Sequence, residues 1–167
     1  VITGAGRMFS GGADIREFGQ TPPDGTPHLP SLFDAIEAQG KPVVAAIHGV
    51  ALGGGCELAL ACHVRLAAPG TRVGLPEVTL GILPGAGGTQ RMPRLIGVPA
   101  ALDLIVSGKM VPAPKAQQLG IIDEVVEGDV VDAAVALARQ MADEHRPIRR
   151  ASALDERIAE ARGTPEL

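Results

Sequence analysis

Two carboxylates stand out by what surrounds them. Glu57 follows three glycines in "GVALGGGCELAL", residues 49–60, and Glu77 lies in "GLPEVTLGILPGAGG", residues 74–88. Glycine costs backbone entropy, so a run of it marks a turn or a close backbone approach. This run leads into an apolar segment that should be helical. The first N–H groups of a helix point outward and carry partial positive charge, so they can hold a developing negative oxygen. Two carboxylates beside such donors can divide the work of acid and base. A structural alternative stays open at this point. Glu57 also suits a first helical turn through the dipole, and Glu77 suits a solvated loop.

Other chemistries fail on spacing. "TGAGRMFSGG" lacks the third glycine of a dinucleotide fingerprint, and "GAGGTQ" has Gln90 in its place. Neither Gly40-Lys41 nor Gly108-Lys109 is followed by Ser or Thr, so there is no P-loop. No G-x-S-x-G elbow is present. Cys56 and Cys62 form no metal-ligand spacing and suit free thiols in a reducing cytoplasm. His48 at a strand end and His63 at a helix end are expected to be structural. Arg91 and Arg94 are expected in packing or surface ion-pair contacts.

The elements that must position the carboxylates alternate in type. Residues 31–39 are amphipathic and helical, with Gly40 as a stop. Residues 42–48 form a buried strand. A helix is predicted from Cys56 to Cys62. Short strands are predicted in "VRLAAP" and "TRVGLPE". Helices follow over Thr89–Leu95, Pro99–Val106 and the segment closed by Gly120. "IIDEVV" is a strand, and Asp129 caps a long helix through Glu144. The order indicates an α/β layered fold with a largely parallel sheet. No internal repeat is visible.

Composition bounds the rest. The chain has 167 residues and 46% hydrophobic content, enough for one domain with a sizeable core. Aromatics are 2%, with no Trp or Tyr, and the net charge is -4, so a nucleic-acid surface is not expected. No apolar run has the roughly 20 residues of a membrane helix. The opening Val1-Ile2-Thr3 reads as a strand end, so the unit is expected to be truncated.

Three linked stretches carry a family resemblance: "FSGGADI" (9–15), "KPVVAAIHGVALGGGCELAL" (41–60) and "LPEVTLGILPGAGGTQRMPRLIG" (75–97). They resemble the crotonase, or enoyl-CoA hydratase/isomerase, superfamily. The details look most like the hydratase part of multifunctional β-oxidation enzymes fused to a 3-hydroxyacyl-CoA dehydrogenase. Many simple hydratases carry Gln where this chain has Leu75. The resemblance implies a crotonase-like layered ββα superhelix, truncated at both ends, with a core over 1–145 and a charged tail or linker over 146–167.

The resemblance also implies the site. The paired hydratase glutamates fall on Glu57 and Glu77. The backbone N–H groups that hold the thioester oxyanion fall on Ala13 and Gly54, next to Gly53. Gly11 to Ile15 resembles the turn that receives the CoA end, with Asp14 as a structural turn residue. Pro76 precedes the second glutamate in the substrate-binding motif, and Gly85 resembles a position that helps hold the catalytic water. Arg16 lies where related chains carry a basic residue near CoA phosphate, or is an exposed surface arginine. The implied reaction adds water to a 2-trans-enoyl-CoA to give a 3-hydroxyacyl-CoA. The implied substrate is acyl-CoA, with no metal and no cofactor, in the cytoplasm, with a homotrimer or a dehydrogenase domain in the complete chain. Which glutamate is protonated stays open. The alternatives are a Δ3,Δ2-enoyl-CoA isomerase and a non-catalytic acyl-CoA-binding fragment.

Overall fold

Short strands alternate with helices along the described chain, residues 1–21 and 23–163 of a computed structural model. The first half runs β1 (Ile2–Thr3), α1 (Leu29–Glu37), β2 (Val44–Ile47), β3 (Val50–Leu52), α2 (Gly54–Ala61), β4 (Val64–Ala67) and β5 (Arg72–Gly74). The second runs α3 (Gly88–Ile96), α4 (Val98–Ser107), β6 (Val111–Pro112), α5 (Ala113–Leu119), β7 (Glu124–Val125), α6 (Val130–Asp143) and α7 (Glu156–Arg162). A parallel sheet has the order β1-β2-β4-β7, and a second sheet has the order β3-β5-β6. β3 and β5 are parallel, while β5 and β6 are antiparallel.

β2 is apolar at every position because both of its faces are covered. Val44 and Ala46 pack with Leu66 against Val130 and Ala134 of α6. Ala45 and Ile47 face the main core with Leu60, Leu75 and Met92. Between β2 and β3 the chain turns at Gly49, where φ is 63° and a Cβ would lie against the Arg7 carbonyl oxygen. The strand therefore leaves one sheet and continues in the other.

That step repeats three times. β1 is followed by Ser10, which bridges Ala51 of β3. β2 is followed by β3, and β4 by β5. Ala45 pairs with Ile2 and Arg65, and Leu52 pairs with Gly74. The result is a stack of strand–strand–helix turns, as the crotonase-like expectation requires. The repeat is invisible in the sequence because only the backbone path recurs. Its side chains differ from turn to turn.

Several boundaries differ from the sequence expectations. α2 begins at Gly54, two residues early, because a helix's first turn tolerates glycines when their N–H groups need no side-chain cap. The strand in "TRVGLPE" stops at Gly74. Pro76 has no N–H for a ladder, and Pro76–Leu80 winds into a 3-10 helix. Of "IIDEVV" only Glu124–Val125 pair, while Ile121 and Ile122 are buried in the main core. Asp129 caps α6 as expected, accepting from the N–H groups of Val131 and Asp132.

The charged segment is not a loose linker as far as Gly163. A 3-10 turn at Ala151–Ala153 and helix α7 pack on α3. Arg150 Nε donates to the Glu37 carbonyl at 3.0 Å, and Arg94 pairs with Asp155 at 3.6 Å. Residues 164–167 of that segment lie outside the described residues. Among the described residues no helix is long and apolar enough to cross a membrane.

Candidate active site

The three stacked turns each end at one place. Ala13 follows the Ser10 bridge, Gly53-Gly54 follow β3, and Glu77 follows β5. Parallel strands present ligands at their carboxyl ends in this way.

Glu57 sits in the first turn of α2, buried to 3% exposure. Its Oε1 accepts two backbone N–H bonds, from Ala86 at 2.7 Å and Gly88 at 2.8 Å. These two donors are new with the structure. The signal for them was the glycine-rich "PGAGG", because a backbone that must touch a carboxylate cannot carry bulk. A Cβ on Gly88 would lie 3.0 Å from Glu57 Oε1 and 3.0 Å from Leu75 Cδ1. The loop before α3 is thereby a cradle that orients one carboxylate.

Glu77 rides the 3-10 helix Pro76–Leu80 and is buried to 8% exposure, so it is not a solvated loop residue. Its Oε2 is buried with no hydrogen-bond partner among the described residues. Burial pushes its pKa up. A hydrogen bond within the residue opposes this, and the Glu57 charge adds to the rise. A Cβ on Gly53, where φ is 53°, would lie 3.4 Å from Glu77 Oε1. The glycine run is thus in contact with the second carboxylate.

The N–H groups of Ala13 and Gly54 lie side by side. A Cβ built on Gly54 would be 3.6 Å from Ala13 N. One on Gly12, where φ is 95°, would be 2.8 Å from Leu52 O and 3.2 Å from Gly54 N. Only glycine lets the two loops approach this closely. Neither N–H donates to an acceptor among the described residues. The pair is therefore free to receive an oxygen from a ligand.

Glu57, Glu77, Ala13 and Gly54 all line one cavity of about 1160 Å³. Gly11, Asp14, Ile15, Gly53 and Gly85 also line it. Apolar walls come from Phe18, Leu29, Leu80, Ile82 and Leu83, which composition alone did not point to. Two expected substrate residues are not among its lining. Pro76 starts the 3-10 turn that carries Glu77. Arg16 is exposed and bound to Asp14 at 2.6 Å, and this pairing lowers the Asp14 pKa. Asp14 caps Ile15–Glu17 as a turn residue, accepting from Arg16 N.

His48, His63, Arg91, Cys56 and Cys62 do not line the cavity. His63 Nδ1 accepts from Val43 N at 2.9 Å, and its Nε2 donates to the Glu37 carbonyl at 2.9 Å. His48 Nε2 bonds the Gly6 carbonyl at 3.2 Å. Arg91 is buried to 3% exposure rather than superficial, and pairs with Glu37 at 2.9 Å and Asp34 at 2.7 Å. Burial pushes the thiol of Cys56 up to about 12 and that of Cys62 up to about 11, so neither is a thiolate at neutral pH. Among the described residues no group of three or more His, Cys, Asp or Glu side chains is placed to hold a metal ion.

The family described as Enoyl-CoA hydratase/isomerase matches residues 1–161. The chain is 57% identical over 154 residues to the peroxisomal bifunctional enzyme of Danio rerio, covering 92% of this chain and 21% of that one. It is 46% identical over 150 residues to a probable enoyl-CoA hydratase of Bacillus subtilis, covering 86% of this chain and 58% of that one. A solved enoyl-CoA hydratase from Bacillus anthracis superposes with a TM-score of 0.73 at 43% identity, covering 84% of this chain and 57% of that one. The chain thus spans about a fifth of the length of the bifunctional relatives.

Proposed function

The chain belongs to the enoyl-CoA hydratase/isomerase family, and from that premise we propose that it hydrates 2-trans-enoyl-CoA thioesters to 3-hydroxyacyl-CoA in fatty acid β-oxidation. The observation that carries this reading is the pairing of two unlike buried carboxylates on one cavity with two free backbone N–H groups. Hydration has work for both carboxyl groups. Glu57, oriented by the Ala86 and Gly88 N–H groups, takes a proton from water as its oxygen bonds to C3. The alkene electron pair moves toward the thioester, and the N–H groups of Ala13 and Gly54 receive the negative oxygen. One such donor is typically worth roughly 3 kcal/mol of barrier. Glu77, whose burial favours the neutral acid, delivers its proton to C2. Glu57 then holds a proton and Glu77 does not, and exchange with solvent resets the pair.

The steps transfer two protons and form one C–O bond from water with no change in electron count, so they call for no metal or redox cofactor. The full protein is read as carrying a further activity, a 3-hydroxyacyl-CoA dehydrogenase, in line with the bifunctional relatives. A homotrimer is the assembly to test beside it by light scattering. The compartment is read as a reducing one, the cytoplasm, although the vertebrate relatives are named peroxisomal. A tagged full chain followed by microscopy decides between them.

A second reading has its own support. Isomerisation moves one proton between two carbons, and the unpartnered Oε2 of Glu77 suits a single shuttle. It is read as a second activity of the same cavity. The deciding experiment is the loss of crotonyl-CoA absorbance with the full chain. Hydration is expected, together with amide-exchange protection of Ala13 and Gly54 by a CoA thioester and not by NADH. A full chain that binds thioester and leaves crotonyl-CoA unchanged overturns the hydratase reading in favour of isomerase or binding.

A further inference from the structure

Behind the cavity lies a second set of contacts that the proposed reaction does not use. Arg91, at the end of the first turn of α3, sends each of its three nitrogens to a different acceptor. Nη1 donates to the Ala86 carbonyl at 3.2 Å, Nε to Glu37 Oε2 at 3.0 Å, and Nη2 to Asp34 Oδ1 at 2.7 Å. Glu37 is itself held from the tail, where Ser152 N donates to its Oε1 at 2.8 Å. Gly87 lies against the guanidinium so closely that a Cβ there would overlap Nη1, and its φ is 103°. The loop and the arginine are shaped to each other.

Ala86 is the residue that joins the two systems. Its carbonyl faces Arg91 and its N–H holds Glu57. We propose that Arg91, clamped by Glu37 and Asp34 and latched through Glu37 to the tail, is a positioning residue for Glu57. It fixes the 85–88 loop, and the loop fixes the carboxylate. The proposal rests on the hydratase reading for its kinetic arm and stands apart from that reading in its exchange arm.

The physical reason for arginine is its rigid fork. Three acceptors on two elements are met at once by a planar group whose donor directions are set. A lysine at 91 keeps the charge opposite Glu37 and meets one or two of them. Arg91→Lys is thus the variant that tests position while the buried carboxylate stays paired. Arg91→Met strips the charge from beside a buried Glu37, so it is compared with the double variant Arg91→Met/Glu37→Gln, which removes both charges.

The test uses the full chain. In the kinetic arm, Arg91→Lys lowers kcat for crotonyl-CoA about tenfold with KM changed less than about threefold. In a Glu57→Gln background the same substitution costs less than about twofold, because the group it positions is already impaired. In the exchange arm, the amides of Ala86 and Gly88 exchange about tenfold faster in Arg91→Lys, while Ala45 and Ile47 in β2 keep their protection. Faster exchange across the whole chain marks a merely structural role and overturns the proposal. So does equal loss of kcat in both backgrounds, or unchanged exchange at Ala86. If the wild-type full chain hydrates nothing, the hydratase reading has failed and the exchange arm alone decides this one. If Arg91→Lys does not fold, the double variant supplies the same readouts.

Discussion

Glu37 and Glu77 are both buried carboxylates, and their surroundings are opposites. Glu37, at the end of α1, has both oxygens occupied by Arg91 and the Ser152 N–H. Glu77 leaves one buried oxygen without a partner, beside a cavity. Burial of a charged group is costly unless it is paired and hydrogen-bonded. At Glu37 that demand is met. At Glu77 it is left unmet. The contrast separates a carboxylate that serves the fold from one kept available for a ligand.

The sharpest way to break this comparison is to remove each carboxylate in turn. Glu37→Ala takes the buried carboxylate from Arg91 and leaves it only the exposed Asp34 as a charged partner, so it is expected to cost about 3–5 kcal/mol, a fall in Tm of roughly 10 °C by calorimetry. A fall under about 2 °C would show that the closed cluster contributes nothing. On the other side of the comparison, Glu57→Gln and Glu77→Gln are each expected to cut crotonyl-CoA hydration at least about a hundredfold. Thioester affinity should change little. Isomerase activity on a 3-enoyl-CoA should survive Glu57→Gln better than Glu77→Gln. Hydration at the wild-type rate by Glu57→Gln removes the two-carboxylate mechanism.

A smaller effect sharpens the role of the loop. Gly88→Ala places a methyl 3.0 Å from Glu57 Oε1, so it should lower kcat about tenfold by tilting the carboxylate. Unchanged kcat would mean that the cradle tolerates a shift and orients nothing.

The smallest effect concerns the sign of stability with pH. The folded pKa of Glu77 is raised by burial, so the native state binds more protons than the unfolded chain between the ordinary Glu range and that raised value. Stability from this group is present at low pH and declines as pH rises through the window. Glu77→Gln removes the decline. At pH 7 it should raise Tm, while hydration is lost. A variant less stable than wild type at pH 7, with no change in the pH profile, contradicts the raised pKa.

The placing of the two carboxylates on one cavity was partly legible in the sequence, for a physical reason. Glu57 and Glu77 stand near glycines because backbone comes close to each carboxylate there, and that requirement restricts residue type. Gly12, Gly53 and Gly88 leave the same mark. The glycines around Ala86 mark its loop as one of close backbone approach, but nothing in its residue type shows that its N–H meets Glu57. The network of Arg91, Glu37 and Ser152 was also hidden. Its members are 54 and 115 residues apart in sequence, and only folding of the tail onto α3 brings them together. From sequence Arg91 reads equally as a packing or a surface ion-pair residue, because charge gives no sign of burial before the partners are known. The fold class followed from the alternation of elements, whereas the stacking of turns followed from turn geometry such as that at Gly49, which periodicity does not encode.

The stacked turns have a consequence for how such a site can diversify. Ala13 and Gly54 each lie three residues past a bridged pair, Ser10 and Ala51, so their separation is set by the inter-strand spacing of about 4.8 Å. That spacing acts as a ruler built of backbone hydrogen bonds. No side-chain change can stretch it without breaking the ladder. The walls obey no such constraint, because Phe18, Leu80, Ile82 and Leu83 lie on the segments that connect the strands to the next helix, and Leu29 opens α1. Drift in those segments can resize the cavity while the paired N–H groups stay in register. Descendants of this architecture can therefore explore new ligand sizes long before they explore new chemistry.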